Sequence, residues 1–341
     1  MSVKRFVSIG LCLALAFSFI GSVSAQEPFF KGKTMRIIVG FAAGGGYDLY
    51  ARTIARHMGK QIPGNPIIIV ENMVGAGGLI LANHLYRAAK PDGLTIGHFI
   101  GGLFIQQVLG KPGIEFDARK FEYLGVPTQD HYMTGLSRDS GITTADQWLA
   151  AKTPVKIGGI APGTATSDIP RILAATLGLP LQVVDGYKGT SQVRLAFNSG
   201  EVQGLANGWE SFKSTWRAEL ESGKLVVVLQ NIPKPHADLP KVAVDIAYAK
   251  TEEARKLLTV GVHSLGPTAR PFVLPPGTPK DRVQLLRKAF MATMKDAEFL
   301  ADTQKAKLDI TPADGPELER NVKEIFSLEP ELAAKLKEIL K

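Results

Sequence analysis

The sequence predicts an α/β fold of about two domains. Three observations predict it. Short runs rich in Ile and Val alternate with segments of helical period, small-residue turns join the two, and a second set of such units follows the first.

The first element is a leader. Lys4 and Arg5 precede an uncharged run from Phe6 to Ile20, and Val23-Ser24-Ala25 puts small residues where a signal peptidase reads. This is the pattern of a secretory signal peptide cleaved after Ala25. Cys12, the single cysteine, leaves with it, so the mature chain has no disulfide and must hold together by core burial. The formal net charge of +8 falls to +6 once Lys4 and Arg5 are removed. The remaining basic residues form no run, which argues against nucleic-acid binding.

Met35–Phe41 reads as a strand and Asp48–Lys60 as a helix with Leu49, Ile54 and Met58 on one side. Ile67–Val70 is the second strand, Gly75–Gly78 a small-residue turn, and a helix runs from there to Ala89. Lys90–Gly93 is a turn by its Pro-Asp-Gly chemistry, and Leu94–Phe99 is the third strand. This βαβαβ order predicts a parallel sheet. Val155–Ile160 then gives a strand, Ala161–Ser167 a loop and Asp168–Leu177 a helix. Leu181–Asp185 and Ser191–Asn198 make another unit, and Val202–Ala206 one more strand. After the proline-rich Pro267–Pro279 the pattern is helical from Lys280 onward.

Two segments share a grammar. "IIVGFAAGGGYDLYAR" (Ile37–Arg52) and "KIGGIAPGTATSDIPR" (Lys156–Arg171) each run strand, small-residue loop, Asp near the helix start, then Arg. Asp48 and Asp168 are candidate N-caps. Either the loops do the same job, or they share only what any βα unit shares. The first is not a P-loop, because Gly46 and Tyr47 stand where Lys and Ser or Thr are needed. It is not a dinucleotide fingerprint, because Leu49 takes the third glycine's place. There is no G-x-S-x-G and no H-E-x-x-H, and the six histidines show no ligand spacing, so neither a catalytic residue nor a metal is expected. What remains is anion binding by the backbone at a helix N-terminus, which suits carboxylates as well as phosphates. Two such loops could grip two ends of one small diacid, or Gly44–Gly46 could simply make a tight turn.

The ordered set "IIVGFAAGGGYDLYAR", "IIIVENMVGAGGLILANHLYRAAKPDGLTIG", "GTATSDI", "YKGT" and "LPPGTPKDRV" resembles the solute receptors of tripartite tricarboxylate transporters, the Bug receptors. The likeness covers nearly the whole mature chain. It implies a periplasmic-binding-protein fold of the second type, two α/β lobes around a ligand cleft. It implies a monomer that clasps a small organic carboxylate without a cofactor and delivers it to cognate membrane permease subunits. By the same resemblance Phe41, Ala43, Gly44, Gly45, Gly46 and Tyr47 form one jaw, with Gly75, Ala76 and Gly77 beside it. Thr164, Thr166 and Ser167 serve from the second lobe, with Tyr187 and Lys188 near the cleft. Trp209 could stack on a flat ligand or be a core tryptophan, and Lys188 could be a counter-charge or a surface lysine. The chain departs from the family pattern at Tyr47, Asp168, "VVDGYKG" and "ANGWES", changes that bear on the ligand more than on the fold. The expected division is leader 1–25, first lobe 26–127, second lobe 128–267 and a helical return to the first lobe at 268–341. The alternative functions are a sensor subunit that presents ligand to a membrane kinase and a secreted hydrolase using the same cleft.

Overall fold

The computed structural model describes residues 27–341, so the expected leader lies outside the described residues. The chain opens with β1 (Thr34–Val39), α1 (Gly46–Met58), β2 (Ile67–Asn72), α2 (Leu79–Arg87), β3 (Thr95–His98), α3 (Gly102–Val108) and β4 (Glu122–Val126). It crosses to β5 (Tyr132–Ser137), α4 (Ala145–Leu149), β6 (Val155–Gly158), α5 (Ala165–Leu177), β7 (Leu181–Val184) and α6 (Thr190–Asn198). Then come β8 (Gly204–Gly208), α7 (Trp209–Thr215), α8 (Arg217–Glu221), β9 (Leu225–Gln230) and α9 (Glu252–Gly261). It returns to β10 (Phe272–Leu274), α10 (Lys280–Thr293), α11 (Ala297–Ala306), β11 (Ala313–Asp314), α12 (Gly315–Ile325) and α13 (Pro330–Ile339).

Two sheets result, in the orders β11-β4-β10-β3-β1-β2 and β7-β6-β8-β5-β9. β1 is parallel to β2 and β3, and β6 to β7 and β8, as the βα repeats require. The sheets are nevertheless mixed, not purely parallel. β10 runs antiparallel to β3 and β4, and β5 antiparallel to β8 and β9. The reason is topological. β4 leaves its sheet toward the crossing, so the strand that comes back from the other lobe must run the other way. The same holds for β5. The βα strands of both lobes therefore point their C-terminal ends at the space between the sheets, where α/β folds bind ligands. The two crossing segments lie side by side, with the Asp130 N–H donating to the Gly266 carbonyl at 3.2 Å.

Both signature helices start earlier than the sequence suggested. α1 begins at Gly46 behind an extended N-cap, Gly45, and α5 at Ala165 behind Thr164. Asp48 and Asp168 are therefore not N-caps but third and fourth helical residues. Among the late helices, α10 and α12 cover β4, and α11 lies on α1. α13 rests on α9 and α5 of the second lobe, where buried Leu336 fills the space above Gly261 beside Ile172, and Lys335 pairs with Glu253.

Candidate functional site

A narrow cavity lies between the lobes. One wall is the opening of α1: N-cap Gly45, then Gly46 and Tyr47. The facing wall is the opening of α5: N-cap Thr164, then Ala165 and Thr166. The first-turn N–H groups of a helix have no intrahelical acceptor and carry a partial positive charge. Two thirteen-residue helices thus aim their positive ends into one space. Phe41, Ile100, Tyr132 and Ile160 add apolar walls, and Thr190, Asn207, Ser211 and Asp130 add polar ones.

The Asp in each loop secures that loop's backbone. Asp48 Oδ2 accepts from the Gly44 N–H (3.0 Å) and Arg52 Nε (2.9 Å), and Oδ1 from Asn72 Nδ2 (3.0 Å). Burial pushes its carboxyl up, but these hydrogen bonds outweigh burial and hold it below the usual carboxylate range. Asp168 takes the Gly163 N–H on both oxygens (3.0 and 2.9 Å) and Gln106 Nε2 at 2.7 Å. Its Arg is diverted, since Arg171 pairs with Asp185, and burial pushes Asp168 up to about 6. The shared grammar is therefore a shared device: the carboxylate straps the loop that precedes its helix. It also uses up the Gly44 N–H, which turns away from the cavity.

The expected residues divide. Phe41, Gly45, Gly46, Tyr47, Thr164 and Thr166 line the cavity. Ala43 and Gly44 instead meet α6 across the cleft: Ser191 Oγ donates to the Ala43 carbonyl at 3.1 Å, and the Ala42 N–H to the Lys188 carbonyl at 3.0 Å. Gly75, Ala76 and Gly77 sit behind the wall. Gly75–Gly78 has four successive positive φ angles, and a Cβ on Gly77 would come within 2.8 Å of Thr164 Cγ2, so this turn buttresses the opposite jaw. Ser167 is turned inward, donating to Asp185 Oδ1 at 2.6 Å. Tyr187 spends its hydroxyl on Glu201, and the Lys188 side chain is exposed. Trp209 is a core tryptophan here: its ring lies among Phe212, Trp216 and neighbours, and Nε1 donates to Asp238 at 2.8 Å. The helix starts at Trp209 and folds the ring back into its lobe, leaving Asn207 at the cavity.

Sequence reading missed the residues at the crossing. Arg270 is 1% exposed, and its Nε donates to Asp130 Oδ1 at 2.5 Å and its Nη2 to Ser211 Oγ at 2.8 Å. The guanidinium lies 4.7 Å from the Tyr47 ring and 4.8 Å from the Tyr50 ring. Burial pushes the Asp130 carboxyl up while the Arg270 charge pulls it down. No local motif marks this pair, which is 140 residues apart.

His98 closes the back of the site, stacked 4.1 Å from Phe272 and 4.9 Å from Tyr47. Nδ1 lies 3.0 Å from the Pro271 carbonyl, which can only accept, so Nδ1 carries the proton. Burial lowers the imidazole from 6.5 to about 3. A depressed histidine binds its proton more tightly when unfolded, so its contribution is full above pH 6.5 and is lost as pH falls toward about 3. At about 1.4 kcal/mol per unit this reaches about 5 kcal/mol. Asp168, being raised, acts in the opposite sense between its ordinary value and about 6. The prediction is read as a difference: urea unfolding across this pH range should show a flatter acid loss of stability in His98→Phe than in the wild type. Parallel curves would contradict it.

Among the described residues, His57, Asp296 and Glu298 are close enough to surround a cation. Lys60 Nζ already fills that place, 2.8 Å from Asp296 and 2.5 Å from Glu298.

Comparisons with known proteins agree with this architecture. Residues 50–335 match the family model described as tripartite tricarboxylate transporter family receptor. A Cupriavidus necator protein described as "UPF0065 protein in gbd 5'region" is 29% identical over 321 residues, 92% of this chain and 90% of that one. The periplasmic binding protein BugD superposes with a TM-score of 0.73 at 23% identity, over 91% of this chain and 98% of its own. MatC from Rhodopseudomonas palustris, solved with bound malate, gives 0.72 at 19% identity, over 92% of this chain and all of its own. With a family model spanning most of its length and a periplasmic-binding-protein fold, the chain belongs to the tripartite tricarboxylate transporter receptor family, whose members are solute receptors and not enzymes.

Proposed function

We propose that this receptor works in the periplasm, freed from its leader after Ala25, and binds a small organic carboxylate that it delivers to a tripartite-type membrane permease. The observation that carries the reading is the meeting of two helix N-termini in one interlobe cavity. A carboxylate there meets first-turn N–H donors at Gly46, Tyr47, Ala165 and Thr166 and two helix dipoles, and among the described residues no cationic side chain lines the wall. Ligand-contacting residues are then Gly45, Gly46, Tyr47, Thr164 and Thr166, with Phe41 against the apolar part. The malate bound by MatC supports a small acid as the ligand.

The described state is closed. Gln106 to Asp168, Ser191 to Ala43 and Lys213 to Asp309 all reach from one lobe to the other. We place the lobes at 26–127 with 268–329, and 128–267 with the last helix, swinging about Asp130 and Gly266. Ligand would favour the closed form.

A thermal-shift screen of organic acids, each beside its amide, tests the reading. A ligand that binds only the folded state adds about 2.7 kcal/mol at a hundredfold excess over Kd. For a chain this long that moves the midpoint by about 4 °C. Acids should shift it and amides should not. A shift by neutral sugars or cations alone would overturn the proposal.

A further inference from the structure

A second pocket, of about 400 Å³, shares only Asp130 with the interlobe cavity. Both crossings build it, through residues 129–131 and 266–267, together with the proline-rich loop 232–237. His131, His236 and His263, three of the chain's six histidines, line it. His131 Nδ1 lies 2.8 Å from Glu210 Oε1, which can only accept. That hydrogen bond holds the imidazole above its ordinary value, and the charged ring has its Nε2–H to spare. His236 Nδ1 accepts the Asp238 N–H at 3.0 Å, so the hydrogen of this ring sits on Nε2. His263 Nε2 lies 2.8 Å from Asp245 Oδ1, and Asp245 is 0% exposed. Protonation of that ring supplies the counter-charge that a buried carboxylate requires, and it puts a hydrogen on Nδ1. The His263 side chain is 5% exposed, and its Nδ1 has no partner among the described residues. Lys234 adds one more donor. Asp130 is the acidic residue of the lining, and its carboxyl is committed to Arg270.

We infer that this pocket is a second binding site, for an oxyanion: a sulfate, phosphate or carboxylate group held by His131, His236, His263 and Lys234 where the two crossings meet. With Asp130 committed, the ionisable side chains of the lining offer donors and no acceptor, and a buried donor is costly to leave unpaired. The acids nearby are spent on other partners. Glu210, Asp238 and Asp245 each hold one of the rings, and Asp309, which also acts on His131, pairs with Lys213. An anion gains from every proton the rings take up, so binding strengthens as pH falls. The site is built from side chains, does not involve the helix N-termini, and stands whether or not those bind a carboxylate.

Sulfate is the probe, because its charge is constant over the range used. Proton NMR of the ring Cε1–H signals follows all six histidines, with His57, His84 and His98 as references outside the pocket. At about pH 6 the His131, His236 and His263 signals should move together and saturate with a Kd of about 1 mM or tighter. At about pH 8 binding should weaken by about tenfold or more, as the rings lose their charge. Lys234→Met, at an exposed position, and His236→Gln should each weaken it by about threefold or more. Gly45→Val, which obstructs the interlobe cavity, should retain the titration. Three pocket signals that stay still, or six signals that drift alike with ionic strength, would overturn the inference. So would shifts that vanish in Gly45→Val, since the sulfate would then lie at the helix N-termini.

Discussion

Arg270→Met should destabilise the receptor by about 3–5 kcal/mol, the cost of leaving one member of a buried ion pair without the other. Among the described residues the guanidinium is the only hydrogen-bonding partner of the Asp130 carboxyl, which is itself buried, and it also bridges to Ser211 and is sandwiched by Tyr47 and Tyr50. The expected rescue is specific. Asp130→Asn combined with Arg270→Met removes the stranded charge and should recover much of the loss, because a neutral amide is far cheaper to bury than a carboxylate. Chemical denaturation of the wild type, the single variant and the double variant measures this. A double variant no more stable than the single one would show that the packing of the guanidinium between the two rings, and not its charge, is what matters.

Gly45→Val should abolish acid binding, with a loss of about a hundredfold or more, equal to about 2.7 kcal/mol, while the fold survives. Gly45 is extended, with φ −89° and ψ 172°, so valine can adopt its backbone conformation. The positive φ of the loop belongs to Gly44, at 80°, so strain is not the mechanism at Gly45. The mechanism is space. A Cβ on Gly45 would lie 3.1 Å from Thr190 Oγ1 of the opposite lobe, at the cavity wall, and two further methyls would hold the jaws apart. The acid that gives the largest thermal shift in the wild type is the probe, with circular dichroism as the check on folding. Unchanged affinity would remove Gly45 from the site. Gly46 is a less clean position, because a Cβ there would overlap Ser211 Oγ and disturb the Arg270 network as well.

Much of the first lobe was legible because its elements are local. β1, α1, β2, α2 and β3 follow one another with short turns, and each is announced by its own periodicity or glycines. β4, β5, β9 and β10 carry no comparable local signal. They are all or mostly buried, so they show little alternation, and β10 is only three residues long. Their identity as strands comes from the partners that the crossings bring to them. The return of α10, α11 and α12 to the first sheet has the same origin: amphipathic helices advertise an apolar face but not its address.

The candidate site splits along the same line. The openings of α1 and α5 were readable, because a small-residue loop between an apolar strand and a helical pattern is a property of consecutive residues. The strapping by Asp48 and Asp168 was only half readable. Their spacing from the loop was visible, but which backbone N–H each carboxylate takes depends on where the helix begins, and that depends on the N-caps Gly45 and Thr164. Trp209 shows the limit of reading by residue type. An aromatic ring near a cleft in sequence faces the core once its helix starts one residue earlier than a strand would continue.

What the sequence determined by itself is the pair of βα units with their small-residue loops and the absence of nucleotide and catalytic motifs. Each depends on residues within one or two turns of one another, where local backbone preference and periodicity decide the outcome. What only the tertiary structure decided is that Asn207 from β8 and Asp130 from one crossing reach the cavity, with Arg270 from the other crossing buried against Asp130. These groups are tens to more than a hundred residues apart, and none is marked by its neighbours. Their roles come from burial, which makes an ion pair close and an unpaired donor costly, and burial is a property of the assembled lobes, not of any segment.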